Sequence, residues 1–97
     1  MDSLVSSGCV LAGGQAIRSV LAPHVRINEK ARVEKSILHD GVEVGAGSRL
    51  YRTIVDKGVK IPPGMEIGFD HDKDRKHFTV SEGGVVVIRR KQKLEAV

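Results

Sequence analysis

The sequence predicts an all-β chain: a single-stranded parallel β-helix of hexapeptide-repeat type, about four coils long, closed by a C-terminal β-hairpin cap. Three observations lead there. Twelve aliphatic residues recur at intervals of 6, 6 and 5, namely Leu4, Val10, Ala16, Leu21, Ile27, Val33, Leu38, Val44, Leu50, Val55, Ile61 and Ile67. An interval near six fits neither a helical face nor a two-residue strand alternation. It fits a chain wound on a triangular prism, one inward aliphatic per face and 17 residues per coil. The same period aligns other columns: Val25, Val42 and Val59; Ser19, Ser36 and Thr53; Val20, Ile37 and Ile54. Finally, aromatics are only 3% of the chain, too few to fill a wide core but no handicap to a narrow prism of Val, Ile and Leu.

The elements follow in order. Residues 1–13 form an incomplete first coil with Leu4 and Val10 pointing inward, and Ala12-Gly13-Gly14 as its corner. Residues 14–64 make three whole coils, and Met65 to Gly68 begin another face. Gly41, Gly58, Gly47 and Gly64 mark turns, and Pro62-Pro63 lies near the last coil, where missing ladder N–H groups matter least. The β-helix thus occupies 1–68; a charged turn, a hairpin and a basic tail occupy 69–97. Asp70 to His77 suits one helical turn with Asp residues near its start. Phe78 to Ser81 and Val85 to Ile88 read as paired strands, because Gly83-Gly84 supplies the positive φ angles of a tight turn. Beyond Arg90 the chain is expected to fray.

A chain of 97 residues is one domain, and a solenoid this short has two open ends that need a cap or a partner. The single cysteine, Cys9, excludes an internal disulfide and reads as a structural thiol, pointing to a reducing, cytoplasmic setting. No run of eighteen apolar residues and no signal peptide is present, so no membrane partner is expected. The net charge of +4 is too small, and aromatic stacking surfaces too few, for nucleic-acid binding.

The charge is unevenly placed. Arg18, Lys35 and Arg52 fall in one repeat column, beside Gln15, Arg32 and Arg49 in another. Long side chains can splay apart, or an anion can collect there. The four histidines, His24, His39, His71 and His77, lack metal-ligand spacing, so no metal site is expected. Asp70, Asp72 and Asp74 have the spacing of a calcium loop without its glycine and distal glutamate, and read as a solvated turn. No nucleophile–base pair and no phosphate-binding loop appears.

Several stretches carry a resemblance. They are Ser3 to Val10, Arg18 to Leu21 with Val25 to Asn28, Arg49 to Lys57 running into Ile61 to Gly68, and Asp74 to Phe78 with Ser81 to Val85. Together they resemble the C-terminal left-handed β-helix domain of bacterial ADP-glucose pyrophosphorylase (glucose-1-phosphate adenylyltransferase). The resemblance implies a regulatory and oligomerisation domain of an enzyme that makes ADP-glucose and pyrophosphate from ATP and glucose 1-phosphate with Mg²⁺. It further implies left-handed coiling, no catalytic residue or cofactor in this chain, a nucleotidyltransferase catalytic domain as partner, and a homo-oligomer formed through the β-helix. A sugar-phosphate or nucleotide effector would bind basic positions that fall at Lys57 and Arg90. A third such position falls at Leu94, a departure beside Lys93. Arg52, Lys35 and Arg18 are candidates for additional anion contacts. Two other readings compete: a hexapeptide acyltransferase with His24 or His39 as general base, and a scaffold that only binds another protein.

Overall fold

The computed structural model describes residues 3–90. Fourteen short strands and one helical turn follow in sequence. The first coil holds β1 (Leu4–Val5) and β2 (Val10–Leu11), and the second holds β3 (Gln15–Ile17), β4 (Val20–Leu21) and β5 (Arg26–Ile27). Next come β6 (Arg32–Glu34), β7 (Ile37–Leu38) and β8 (Glu43–Val44), then β9 (Arg49–Tyr51), β10 (Thr53–Val55) and β11 (Lys60–Ile61). The described residues end with β12 (Glu66–Ile67), α1 (His71–Arg75), β13 (Thr79–Val80) and β14 (Val86–Ile88).

These strands stack into three sheets, one per wall. Face A runs β1-β4-β7-β10-β14-β13, face B runs β11-β8-β5-β2, and face C runs β12-β9-β6-β3. Every pairing is parallel except the final hairpin. The result is a left-handed β-helix of about four turns.

The core follows from the repeat. Leu21, Ile27, Val33, Leu38, Val44 and Val55 are fully buried, and Ala16, Leu50, Ile61 and Ile67 nearly so. Burying a Val, Leu or Ile side chain is worth about 1.5–3 kcal/mol, so one inward aliphatic per wall supplies most of the driving force. The first coil departs from the expected phase. Leu4 pairs with outward Val20 and Val10 with outward Arg26, while Val5 and Leu11 pair with inward Leu21 and Ile27. The inward residues are therefore Val5 and Leu11, not Leu4 and Val10. The cause is a residue missing at one corner: Ala12 N–H bonds the Ile27 carbonyl, as Asn28 N–H bonds that of Val44, yet Gly13 then meets Lys30.

A polar column runs beside the aliphatic ones. The Oγ atoms of Ser3, Ser19 and Ser36 each accept the N–H of the next coil's residue, Ser19, Ser36 and Thr53, all at 3.1 Å. The hydroxyls of Ser19, Ser36 and Thr53 each donate to the carbonyl two residues back, at 2.9, 2.9 and 3.0 Å. Ser19 and Ser36 are thus satisfied as donor and acceptor and Thr53 as donor, which avoids the roughly 1–3 kcal/mol cost of an orphaned buried group. Cys9 is half-buried, with Sγ donating to the Ala22 carbonyl at 3.1 Å, a structural role.

The hairpin caps the prism by adding a rung. β14 pairs in parallel with β10, which sets Val86 on Thr53 and Ile88 on Val55. Val86 and Ile88 are fully buried and continue the inward columns of face A. Asp70 starts α1 by accepting the N–H groups of Asp72 and Lys73 at 3.1 and 3.2 Å, the usual N-cap role. The expected solvated turn holds for Asp70 and Asp72 but not for Asp74, which is only 3% exposed. Its Oδ2 accepts the Gly68 N–H at 3.0 Å and ties the helical turn to the end of face C. Burial raises its carboxyl above the ordinary value, against the lowering influence of that hydrogen bond.

Candidate functional site

The geometry of the three corners decides where basic side chains gather. Each corner turns through one residue at positive φ in every coil. The corner after face A uses Gly8, His24, Gly41 and Gly58, and the corner after face B uses Gly13, Lys30, Gly47 and Gly64. At the corner entering face A the same positions are Arg18, Lys35 and Arg52, with φ of 48°, 50° and 49°. A left-handed conformation costs an L-residue roughly 1–2 kcal/mol and a glycine almost nothing.

The five basic residues singled out in the sequence fall into two groups at opposite ends of face A. Arg18, Lys35 and Arg52 stand one above another where the chain enters it. Lys57 and Arg90 lie where β10 and β14 leave it. Four residues, Thr53 to Asp56, separate Arg52 from Lys57, a span of up to about 16 Å.

Lys57 and Arg90 meet at Asp56. The Asp56 Oδ1 accepts the Lys57 N–H at 2.8 Å, and its Oδ2 accepts the Arg90 N–H at 3.3 Å. The Arg90 guanidinium Nε lies 3.6 Å from the same oxygen. These contacts, the Lys57 N–H first, hold the Asp56 carboxyl below its ordinary value despite some desolvation; the positive side of His39 adds to the effect. The sequence reading missed Asp56. The 17-residue register was the signal available, since it places Asp56 directly after the inward Val55. Leu94, where the third basic position implied by the resemblance falls, and the neighbouring Lys93 lie outside the described residues, as does the expected frayed tail.

On face C the like charges have been resolved locally. Arg32 and Arg49 are register partners, yet Arg32 Nη2 reaches Glu34 at 3.3 Å and Arg49 Nη1 reaches Glu66 at 2.9 Å. The Arg49 guanidinium also sits 4.5 Å over the Phe69 ring, which stacks on Tyr51 with centroids 5.8 Å apart. At the basic corner Lys35 Nζ lies 5.8 Å over the Tyr51 ring. Neither Arg18, Lys35 nor Arg52 forms an ion pair among the described residues. Adjacent rungs are about 4.8 Å apart, so neighbouring charges repel by roughly 0.8 kcal/mol in water.

The histidines are not gathered. His24 Nδ1 lies 3.3 Å from Asp40 Oδ1, with the two side chains 72% and 55% exposed, and His39 stands in a different column. No group of three or more His, Cys, Asp or Glu side chains converges for a metal among the described residues. No helix among them is long and apolar enough to cross a membrane.

The comparisons with known proteins agree with this architecture. The family model described as GlmU-like, C-terminal hexapeptide matches residues 1–88. The chain is 48% identical over 94 residues to the glucose-1-phosphate adenylyltransferase of Anaeromyxobacter sp. (strain Fw109-5), covering 97% of this chain and 23% of that protein. It is 47% identical over 88 residues to the enzyme of that name from Cutibacterium acnes (strain DSM 16379 / KPA171202), covering 90% and 22%. It is 46% identical over 98 residues to that of Yersinia pseudotuberculosis serotype O:1b (strain IP 31758), covering 99% and 23%. The chain spans about a quarter of the length of these curated relatives and matches their C-terminal part. With its repeat, its three walls and its hairpin cap all accounted for, the chain belongs to the GlmU-like C-terminal hexapeptide family and is similar to the C-terminal part of glucose-1-phosphate adenylyltransferases.

Proposed function

We propose that this chain is the regulatory and assembly module of a cytoplasmic glucose-1-phosphate adenylyltransferase and is not catalytic by itself. The observation that carries the reading is near-complete coverage of this chain at 45–48% identity by proteins it matches only over their C-terminal part. ADP-glucose synthesis, and the Mg²⁺ it uses, would then belong to a nucleotidyltransferase catalytic domain. The β-helix residues described above supply effector binding and subunit contacts.

Lys57 and Arg90 are the effector residues in this reading. Asp56 holds Arg90 in place beside Lys57. A phosphate ester of a sugar or nucleotide would take over the guanidinium, which presents a planar fork suited to phosphate, while the Lys57 ammonium adds a point charge. Calorimetry with fructose bisphosphate tests the assignment. The pair Lys57→Glu and Arg90→Glu should abolish the measured heat, and an unchanged titration eliminates these residues as the effector site.

Assembly is assigned to the outside of face A. Val20, Ile37, Ile54 and Val87 form one outward aliphatic column in register, with Val20 and Ile37 about 40% exposed. A continuous apolar stripe of that kind suits a second β-helix packed side by side. Ile37→Lys should convert any oligomer of the chain to monomer in analytical ultracentrifugation; an oligomer that survives places the contact elsewhere.

A further inference from the structure

The basic corner remains unexplained by that reading. Two corners of the prism turn through glycine in most coils, at positive φ and without strain. The third turns through Arg18, Lys35 and Arg52 in three successive coils. All three are exposed and carry like charges on adjacent rungs. Face C shows how this fold neutralises stacked arginines, with Glu34 and Glu66. Among the described residues no carboxylate pairs with any of the three, and Glu34, the sequence neighbour of Lys35, is engaged by Arg32.

Strained backbone and unrelieved repulsion at the same three positions serve no folding purpose that glycine would not serve better. Such features collect where a ligand is bound. The hairpin extends the ladder by one more step. At Gly84, which has φ 82°, an added Cβ would lie 2.9 Å from His71 Cε1 and 3.8 Å from Arg52 Nη1. The turn therefore keeps an imidazole and a guanidinium close together at the top of the corner. The Tyr51 ring lies beneath the Lys35 ammonium and steadies it in the middle.

We infer that this corner is a binding site for an oligophosphate chain, with Arg18, Lys35 and Arg52 each holding a successive part of the ligand and His71 beside the last. Adjacent rungs are about 4.8 Å apart, so the three cations span about 10 Å along the prism axis. One orthophosphate can bridge two neighbouring rungs at most. An oligophosphate can engage all three, whether it is free or forms the tail of a nucleotide. The site is separate from Lys57 and Arg90, at the other end of β10, and does not depend on the adenylyltransferase reading.

Isothermal calorimetry on the 97-residue chain at fixed ionic strength tests it, with inorganic tripolyphosphate, orthophosphate and a nucleoside triphosphate as probes. Tripolyphosphate should bind at least tenfold more tightly than orthophosphate. The triple variant Arg18→Gly, Lys35→Gly and Arg52→Gly should lose at least tenfold in tripolyphosphate affinity while melting no lower than the parent chain, since glycine suits those φ angles. A control of equal net charge, Lys30→Gly with Lys60→Gln and Lys73→Gln, should retain the affinity, and so should Lys57→Glu with Arg90→Glu. A nucleoside triphosphate that outbinds tripolyphosphate identifies a nucleotide as the source of the chain, and the reverse order identifies the free oligophosphate. Equal affinity for orthophosphate and tripolyphosphate overturns the site. So does equal loss in the triple variant and the control, which would reduce the effect to diffuse charge.

Discussion

The two ends of the prism hold equivalent inward positions in unlike surroundings. In the first coil Val5 and Leu11 point inward but remain 50% and 43% exposed, because among the described residues no rung lies above them. At the other end Ile67, Val86 and Ile88 are buried at 1%, 0% and 0%. The difference is not made by the repeat, which fills both ends with aliphatics alike. It is made by non-repetitive sequence: a hairpin that supplies a fifth strand to the parallel run of face A, and a helical turn anchored by Asp74. A solenoid's coils stabilise one another only through neighbours, so an end is secure only when something other than the repeat covers it.

Truncating equivalent residues at the two ends breaks or sharpens that contrast most strongly. Ile88→Ala removes a fully buried side chain and should cost about 2–5 kcal/mol. Leu11→Ala, at the same kind of inward position, should cost less than about 1 kcal/mol because its side chain is already partly in water. Urea denaturation of both variants measures the gap, and equal losses would show that the open end is as well packed as the closed one.

Asp74 is the next test. Asp74→Ala leaves the Gly68 N–H without an acceptor and should cost about 1–3 kcal/mol. Asp74→Asn keeps a carbonyl oxygen in place and should cost much less at pH 7, as read from thermal melting of both. The pH dependence gives the smallest effect. The Asp74 carboxyl is raised in the fold, so its protonated form adds stability that is fully present below the ordinary value of 3.8 and is lost as pH rises through the raised value. Asp56 runs the other way: its stability is present above 3.8 and is lost as pH falls through its lowered value. Melting Asp74→Asn and Asp56→Asn between pH 2.5 and 7 should therefore flatten opposite parts of the parent curve; parallel curves would refute the opposed assignment.

Most of this fold was legible because the inward series is long and unbroken by polar residues. Ten of the twelve positions are buried as the period requires, from Ala16 to Ile67. The phase slip in the first coil was hidden because Leu4-Val5 and Val10-Leu11 are both aliphatic pairs, so either residue of each pair satisfies the pattern. Only hydrogen-bond register reveals that a residue is missing beside Gly13. The basic corner was visible as a column, since Arg18, Lys35 and Arg52 share the period. Its backbone strain was not, because Arg and Lys carry no preference for positive φ. The approach of Arg90 to Lys57 was beyond the repeat altogether. It depends on β14 taking the rung above β10, a tertiary choice that no local spacing encodes.

The hydroxyl column has a consequence for how this architecture can vary. It fastens successive turns to one another along a single edge, through Ser3, Ser19, Ser36 and Thr53. A residue has already been lost from a different edge, beside Gly13, and the walls on either side still pair. The molecule is thus stitched in every described coil along one seam and only at scattered points along the edge that holds Gly13, where Ser48 Oγ accepts the Met65 N–H and Asn28 Nδ2 donates to the Val44 carbonyl. Insertions and deletions can accumulate at that sparser edge while the seam keeps count.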